Sequence, residues 1–309
     1  MLDLYATSQR GAPRLDLDRS SASGQGVPLY PNEVSRVTAT IESLTYRPLA
    51  PLSTFVDCIW YRRGLLPDRR REYSMPTGSV DLVINLREDR IRVFENPDDA
   101  AGVCSNGAVV HGAQSRSFVL DALQRVDFVG VHFRPGGGCL LGLPAQHLAD
   151  RHVSLVDIWG VRAIRLREQL LECRSPQQLF ASLERELLQQ MYAARLVRPA
   201  ISFALRAFAQ GGSVQRIGVL HEDSGYSERQ FRTLFTQAVG LPPKAFARVQ
   251  RLTSALHELA QAKESLASIA AASGYYDQAH FAHELRELAG VSPSEYKPMA
   301  RSPLHMEVQ

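Results

Sequence analysis

The strongest constraint on the fold of this chain is a unit near its carboxyl end that is written twice. Ile217 and Leu220 precede Ser224-Gly225-Tyr226-Ser227, an amphipathic run to Val239, then Gly240-Leu241-Pro242-Pro243 and Phe246. Leu266 and Ile269 precede Ser273-Gly274-Tyr275-Tyr276-Asp277, a second such run to Ala289, then Gly290-Val291-Ser292-Pro293 and Tyr296. Each copy holds a short helix, a glycine turn, a Ser or Asp suited to cap a helix N-terminus, and a second helix closed by Gly. That is the pattern of a helix-turn-helix.

In the first copy Phe231, Leu234, Phe235 and Ala238 form an apolar stripe, which leaves Arg229, Arg232, Thr233 and Thr236 together on another face. In the second, Phe281, Leu285 and Leu288 form the stripe, and Ala279, Ala282, His283 and Arg286 point outward. A helix from about Pro243 to Ala260 joins the copies. Phe246, Val249, Leu252, Leu256 and Leu259 are its buried seam, and Lys244, Arg248 and Arg251 its exposed basic row. At about 1.5 Å per residue this rod spans roughly 27 Å. Two second helices at that separation suit successive major grooves on one side of a duplex, which lie about 34 Å apart.

Charge decides how such a contact must work. The chain has 35 Lys and Arg against 32 Asp and Glu. From Pro199 to Gln309 there are eleven basic and ten acidic residues. DNA binding therefore has to rest on a local arginine surface and base-edge contacts, not on bulk charge.

SERQFRTLF with VGLPPKAF in the first copy, and IAAASGYYDQAHF with AGVSPSEY in the second, resemble the DNA-binding domain of AraC/XylS-type transcriptional regulators over Pro199 to about Pro298. The resemblance implies two subdomains around a linker helix, with the second helix of each in the major groove. It places base reading on Arg229, Arg232 and Thr233 in one half, and on Gln278, Ala279, His280 and His283 in the other. Backbone contacts are expected from Ser227, Thr236, Lys244, Arg248, Arg251 and Arg286. Three residues depart from the family pattern: His221 where a small alanine is usual, His283 where Arg is common, and Glu284 followed by Leu285 where an aromatic is usual.

Upstream the texture differs. Phe55 to Tyr61, Val80 to Leu86, Ile91 to Phe94 and Val126 to Phe133 are short β-rich runs between Gly, Pro and Asn, as in a compact β domain. Past Trp159 the spacing turns helical, through Leu166, Leu170, Leu179, Leu183 and Leu187, with Ser175-Pro176 at a helix start. Tyr46-Arg47-Pro48, Pro76-Thr77-Gly78-Ser79 and Phe133-Arg134-Pro135-Gly136-Gly137 resemble, more loosely, the sensory domains fused to some AraC-type regulators, which bind small effectors, dimerise, or both. Trp60, Tyr61, Tyr73, Phe94 and Arg134 are the expected effector pocket. The glycines after Arg134 fit a turn better than an anion cradle.

The expected fold is α+β. Residues 1–42 form an arm, 43–160 a β-rich sensory domain, 161–191 a two-helix extension, 192–198 a linker, 199–300 an all-α pair of helix-turn-helix subdomains, and 301–309 a tail. Cys58, Cys104, Cys139 and Cys173 show no zinc spacing, and His111, His132, His147 and His152 no metal pattern. No catalytic triad or phosphate loop is written, so catalytic residues, metal and cofactor are expected to be none. Free thiols and the lack of a leader or an 18-residue apolar run point to the cytoplasm and away from a membrane. The expected partners are promoter DNA, a small-molecule effector, a second copy of the chain, and RNA polymerase if the protein activates. The alternatives are an enzyme or alkyl-acceptor domain fused to a DNA-binding domain, and an architectural protein that needs no effector.

Overall fold

The computed structural model describes residues 41–65, 70–122, 125–193, 197–209, 225–261, 264–299 and 302–307. The arm expected over 1–42, nearly all of it, falls outside them, as do Ile217, Leu220, His221 and Ser224 of the first copy.

Among the described residues of the first half are ten strands: β1 Ile41–Tyr46, β2 Val56–Leu65, β3 Arg70–Ser74, β4 Asp81–Asn85, β5 Ile91–Phe94, β6 Val103–Ser105, β7 Ala108–His111, β8 Phe118–Ala122, β9 Arg125–Phe133 and β10 His152–Ser154. One antiparallel sheet runs β1-β2-β9-β4-β7-β10. Alternation gives it two faces. Ile59, Tyr61, Leu82, Ile84, Val110, Val129 and Val131 lie on the outer one and pack on helices α2 (Val161–Leu171) and α3 (Pro176–Ala193) through Leu166, Leu170, Phe180 and Leu183. A short helix, α1 (Leu155–Trp159), leads from β10 into α2. Tyr46 stacks on Phe180 and donates its hydroxyl hydrogen to Glu184 at 2.9 Å, fastening the sheet edge to α3.

The inner face meets the second sheet through Val83, Val109 and Phe128 against Ile91, Val93, Phe118 and Leu120. That second sheet runs β11-β12-β3-β8-β5-β6, and its first two strands, β11 (Pro298–Met299) and β12 (Ser302–Glu307), come from the far end of the chain. The carboxyl-terminal region is helical, and the segment expected as a tail, 301–309, contributes strand β12.

Among the described residues, the helices of that region are α4 (Pro199–Ala209), α5 (Glu228–Val239), α6 (Pro243–Gln261), α7 (Leu266–Ala272) and α8 (Gln278–Ala289). Phe208, Phe231, Phe235 and Phe246 form the aromatic centre of the first subdomain, with ring centroids 5.3 to 5.9 Å apart. Leu252, Leu256, Ile269, Phe281 and Leu285 fill the second. Both cores borrow from the β domain. Ala113 is buried in the first, and Met75 in the second beside Met306 of β12.

The Pro76–Ser79 turn is the main dock. Gln250 of α6 donates to the Thr77 carbonyl at 2.7 Å, and Thr253 to that of Pro76 at 3.2 Å. Gly78 has φ +69°, and a Cβ there would stand 3.0 Å from the Phe246 ring, so the close approach of turn to helix needs glycine.

Candidate nucleic-acid interface

Local chemistry starts both outward helices. At α5 the Ser227 hydroxyl accepts from the Gln230 N–H while the Gln230 side chain accepts from the Ser227 N–H, a complete capping box. At α8 the Asp277 carboxylate accepts from the His280 N–H at 2.7 Å. Phe231, Phe235 and Val239 turn α5 inward, and Phe281, Leu285 and Leu288 do the same for α8. Leu234 and Ala238, expected in the first stripe, are only half-buried.

Arg229, Arg232 and Thr233 are consequently exposed on α5, and Gln278, Ala279, His280, His283 and Arg286 on α8. Arg229 and Arg232 make no ion pair among the described residues, so both guanidinium groups are available to a duplex. The hydroxyls of Thr233 and Thr236 donate to the Arg229 and Arg232 carbonyls at 3.0 and 2.8 Å, which leaves them as acceptors outward. His280 has a local duty: its Nδ1 accepts the Tyr276 N–H at 3.3 Å and its ring lies edge-on to Tyr275. Arg286 lies 3.7 Å from Glu295. Lys244 is exposed at the start of α6.

Two residues of the expected basic row are not free. Arg248 donates to Glu284 at 2.9 Å and to Glu287 at 2.6 Å, and Arg251 donates to both Glu284 oxygens at 2.7 Å while its guanidinium lies 4.4 Å over the Tyr275 ring. Only 17% of the Arg251 side chain and 4% of the Glu284 side chain are exposed. These charges join the linker helix to α8. Helical spacing put both arginines on one face but gave no sign that α8 covers it.

The residues expected to line an effector pocket are set on different faces and packed against different neighbours. Tyr61 points into the outer core and Trp60, its neighbour on β2, to the opposite face, where it fills the space a Cβ at Gly130 would need. Tyr73 packs toward the second subdomain, Phe94 lies under the Arg71 guanidinium, and Arg134 pairs with Asp57 at 2.9 Å and donates to the Ser53 carbonyl. Consecutive strand residues face opposite ways, so five aromatic and basic residues on three strands and a loop had no common side. The glycines after Arg134 make a turn: Gly136 has φ +85°, and the Gly137 N–H donates to the Arg134 carbonyl at 2.7 Å.

A polar row, by contrast, shares one face. Strand register sets Cys58 opposite His132, His132 opposite Asp81, Asp81 opposite His111, and His111 opposite His152. Directly opposed residues share a face, so all five lie on the inner side of the first sheet. His132 Nδ1 is 2.7 Å from Asp81, and the Nδ1 atoms of His111 and His152 are 2.7 Å apart, with Phe118 packed on both rings. His111 Nε2 is buried without a partner among the described residues. The His132 and Asp81 side chains are nevertheless 30% and 27% exposed, so solvent reaches this interior. His152 also lines an open cleft of about 580 Å³ between edge strands β6 and β10.

Burial holds the His111 imidazole well below its ordinary pKa and pushes His152 down to about 4, whereas the Asp81 carboxylate raises His132 against its burial. Below the unfolded value of about 6.5 the unfolded chain takes up protons that His111 and His152 refuse in the native state. Their effect is a loss of stability as pH falls from there toward 4. His132 acts oppositely, stabilising below that value and losing its contribution as pH rises through its raised folded value. With two groups against one, the melting temperature of the β domain is expected to drop between pH 7 and 5. His152→Gln, which keeps a hydrogen-bond partner for His111, should reduce the drop in a thermal scan.

Comparison with known proteins fits this geometry. Residues 220–299 match the family described as "Helix-turn-helix domain", over the two outward helices and the rod between them. The carboxyl-terminal part of the chain is similar to helix-turn-helix domains of this kind. Residues 44–154 match a domain of unknown function, DUF6597. Invasion protein InvF of Salmonella typhi is 34% identical over 100 residues, covering 32% of this chain and 46% of that protein. An uncharacterized HTH-type transcriptional regulator of Haemophilus influenzae is 30% identical over 117 residues, covering 38% and 39%. The chain thus spans under half the length of either relative. ToxT from Vibrio cholerae matches in structure with a TM-score of 0.41 and 12% identity over 74% of this chain and 96% of that one. ToxT bound to an unsaturated fatty acid gives 0.42, with 9% identity over 85% and 96%. Likenesses that distant carry no weight for the chemistry of this chain. No helix among the described residues is long and apolar enough to cross a membrane.

Proposed function

We propose that this chain is a cytoplasmic, sequence-specific DNA-binding transcriptional regulator whose β domain senses a small molecule and passes its state to the AraC-type domain. The observation that carries the reading is the pair of capped helices, one on each side of α6, that present Arg229, Arg232 and Thr233, and Gln278, Ala279 and His283, to solvent. Arginine makes the commonest specific contact to guanine, and a side chain of this kind discriminates by about 1–3 kcal/mol per base. The first half has two such residues and the second none on the same turns. Arg232→Ala is therefore expected to relax sequence preference more than His283→Ala when each variant selects its sites from random DNA. Equal losses would reject this ranking.

The inner row of Cys58, His132, Asp81, His111 and His152 is the ligand surface we assign to the sensory domain, since polar side chains inside a β domain that retain solvent access are unusual in a plain core. Its state has a physical route to DNA: β7, which ends at His111, continues through Gly112 and Ala113, and Ala113 is part of the first subdomain core. Two of the four thiols are poorly suited to the alkyl-acceptor alternative. Burial, with Asp57 and Asp81 adding to it, pushes the Cys58 thiol up to about 12, and burial takes Cys139 to about 11, so both are protonated and poor nucleophiles at neutral pH.

A further inference from the structure

We infer that the DNA-facing surface extends beyond the AraC-type domain, and that Arg116 of the β domain is a phosphate contact for the second half of the site. This rests on the DNA-binding reading and deepens it.

The starting point is a shortage of cations. Once Arg248 and Arg251 are tied to Glu284 and Glu287, the described residues of the second subdomain offer a duplex two exposed cations, Arg286, 3.7 Å from Glu295, and Lys297, beside Gln278, Ala279 and His283 of α8. Phosphate contacts fix register on DNA and supply much of its binding free energy, so a groove-reading helix with few cations beside it would be held weakly.

The β domain brings one to the place. Between β7 and β8, the Ser117 N–H donates to the Leu288 carbonyl at 2.7 Å and its hydroxyl to the Ala289 carbonyl at 3.0 Å. These are the last two residues of α8, whose carbonyls have no partner within the helix. The adjacent Arg116 is exposed and makes no hydrogen bond or ion pair among the described residues. It lies within electrostatic range of Glu287, one turn along α8 from His283, and adds to the lowering of that carboxyl's pKa by Arg248. The loop is fixed from its other side as well. The Ser115 N–H and hydroxyl both donate to Asp150, at 2.6 and 3.0 Å, and Gln114 donates to the Gly112 and Arg151 carbonyls. A cation held on such a loop loses little backbone freedom on binding.

Two roles are open to a cation at this point: neutralising a phosphate, or only compensating the negative end of α8 and Glu287. Salt dependence separates them, because each phosphate neutralised contributes about 0.9 to the slope of log K against log salt concentration. The test measures full-length wild type, Arg116→Ala, Arg116→Lys and, as an equal change of charge on the exposed face of α2, Arg165→Ala, all on one selected genomic fragment and one unrelated duplex. Arg116→Ala is expected to bind both duplexes several-fold more weakly at low salt, with a slope shallower by about 0.9, while Arg116→Lys and Arg165→Ala keep the wild-type slope. An Arg116→Ala protein with the wild-type slope and affinity, or one that only melts earlier, overturns the inference. If the wild type retards neither duplex, the DNA-binding reading itself fails and this inference with it.

Discussion

Glu284→Ala is expected to destabilise the carboxyl-terminal half by about 3–5 kcal/mol, the usual cost of removing one partner from a buried ion pair. The Glu284 side chain is 4% exposed and accepts four hydrogen bonds, one from Arg248 and three from Arg251. Without it Arg248 retains Glu287, but Arg251 becomes a largely buried cation with only the Tyr275 ring for company. Glu284→Gln keeps the shape and one acceptor oxygen and should lose less. The double variant Glu284→Ala with Arg251→Met should be less destabilised than the sum of its two single changes, because the second removes the stranded charge. Urea unfolding followed by circular dichroism measures wild type, the three single variants and the double variant. A Glu284→Ala chain within about 0.5 kcal/mol of wild type, the ordinary range for a surface substitution, would show that the network contributes nothing.

Met306→Asp is expected to detach the carboxyl-terminal strand from the β domain. Met306 is 2% exposed and sits opposite Tyr73 in the β12–β3 ladder, in one cluster with Met75, Leu252 and Leu256. An aspartate there must either bury an unpaired carboxylate, which costs far more than one strand of six residues contributes, or leave. Leaving uncovers the β3 edge and opens the second subdomain core between the halves. Hydrogen exchange should show the β3 amides that face β12 losing protection in the variant while Leu82 and Val131, in the other sheet, keep theirs. Met306→Ala, which removes bulk without adding charge, should cost about 2–5 kcal/mol and keep the strand paired. Unchanged protection at β3 in Met306→Asp would mean that the strand does not hold the halves together.

The features of this molecule that repeat at a fixed period were readable in its sequence. The period of 3.6 residues located α3 at its Ser175-Pro176 start and α6 from Pro243, and the duplicated capping and glycine signals located α5 and α8. Alternation and β-branched content located β4, β5 and β9. Contacts between distant segments were not readable. The β12 segment, Ser302–Glu307, is SPLHME, a short run with a proline and without a β-branched residue, so its own pattern gives no hint of pairing with β3. The inner row joins positions from Cys58 to His152 on five strands, and only strand register, fixed by pairings across the sheet, puts them on one face. The arginines of α6 illustrate the same limit: an amphipathic pattern says which residues share a side and leaves open whether water or another helix covers it.

Hydroxyl-radical footprinting of the full chain on a fragment selected from genomic DNA tests the central claim most directly. The account predicts two protected windows on one side of the duplex about ten base pairs apart, the spacing of successive major grooves, with Arg232→Ala weakening the window of the first subdomain more than the other. Absence of any window, or even protection along every fragment offered, would contradict it.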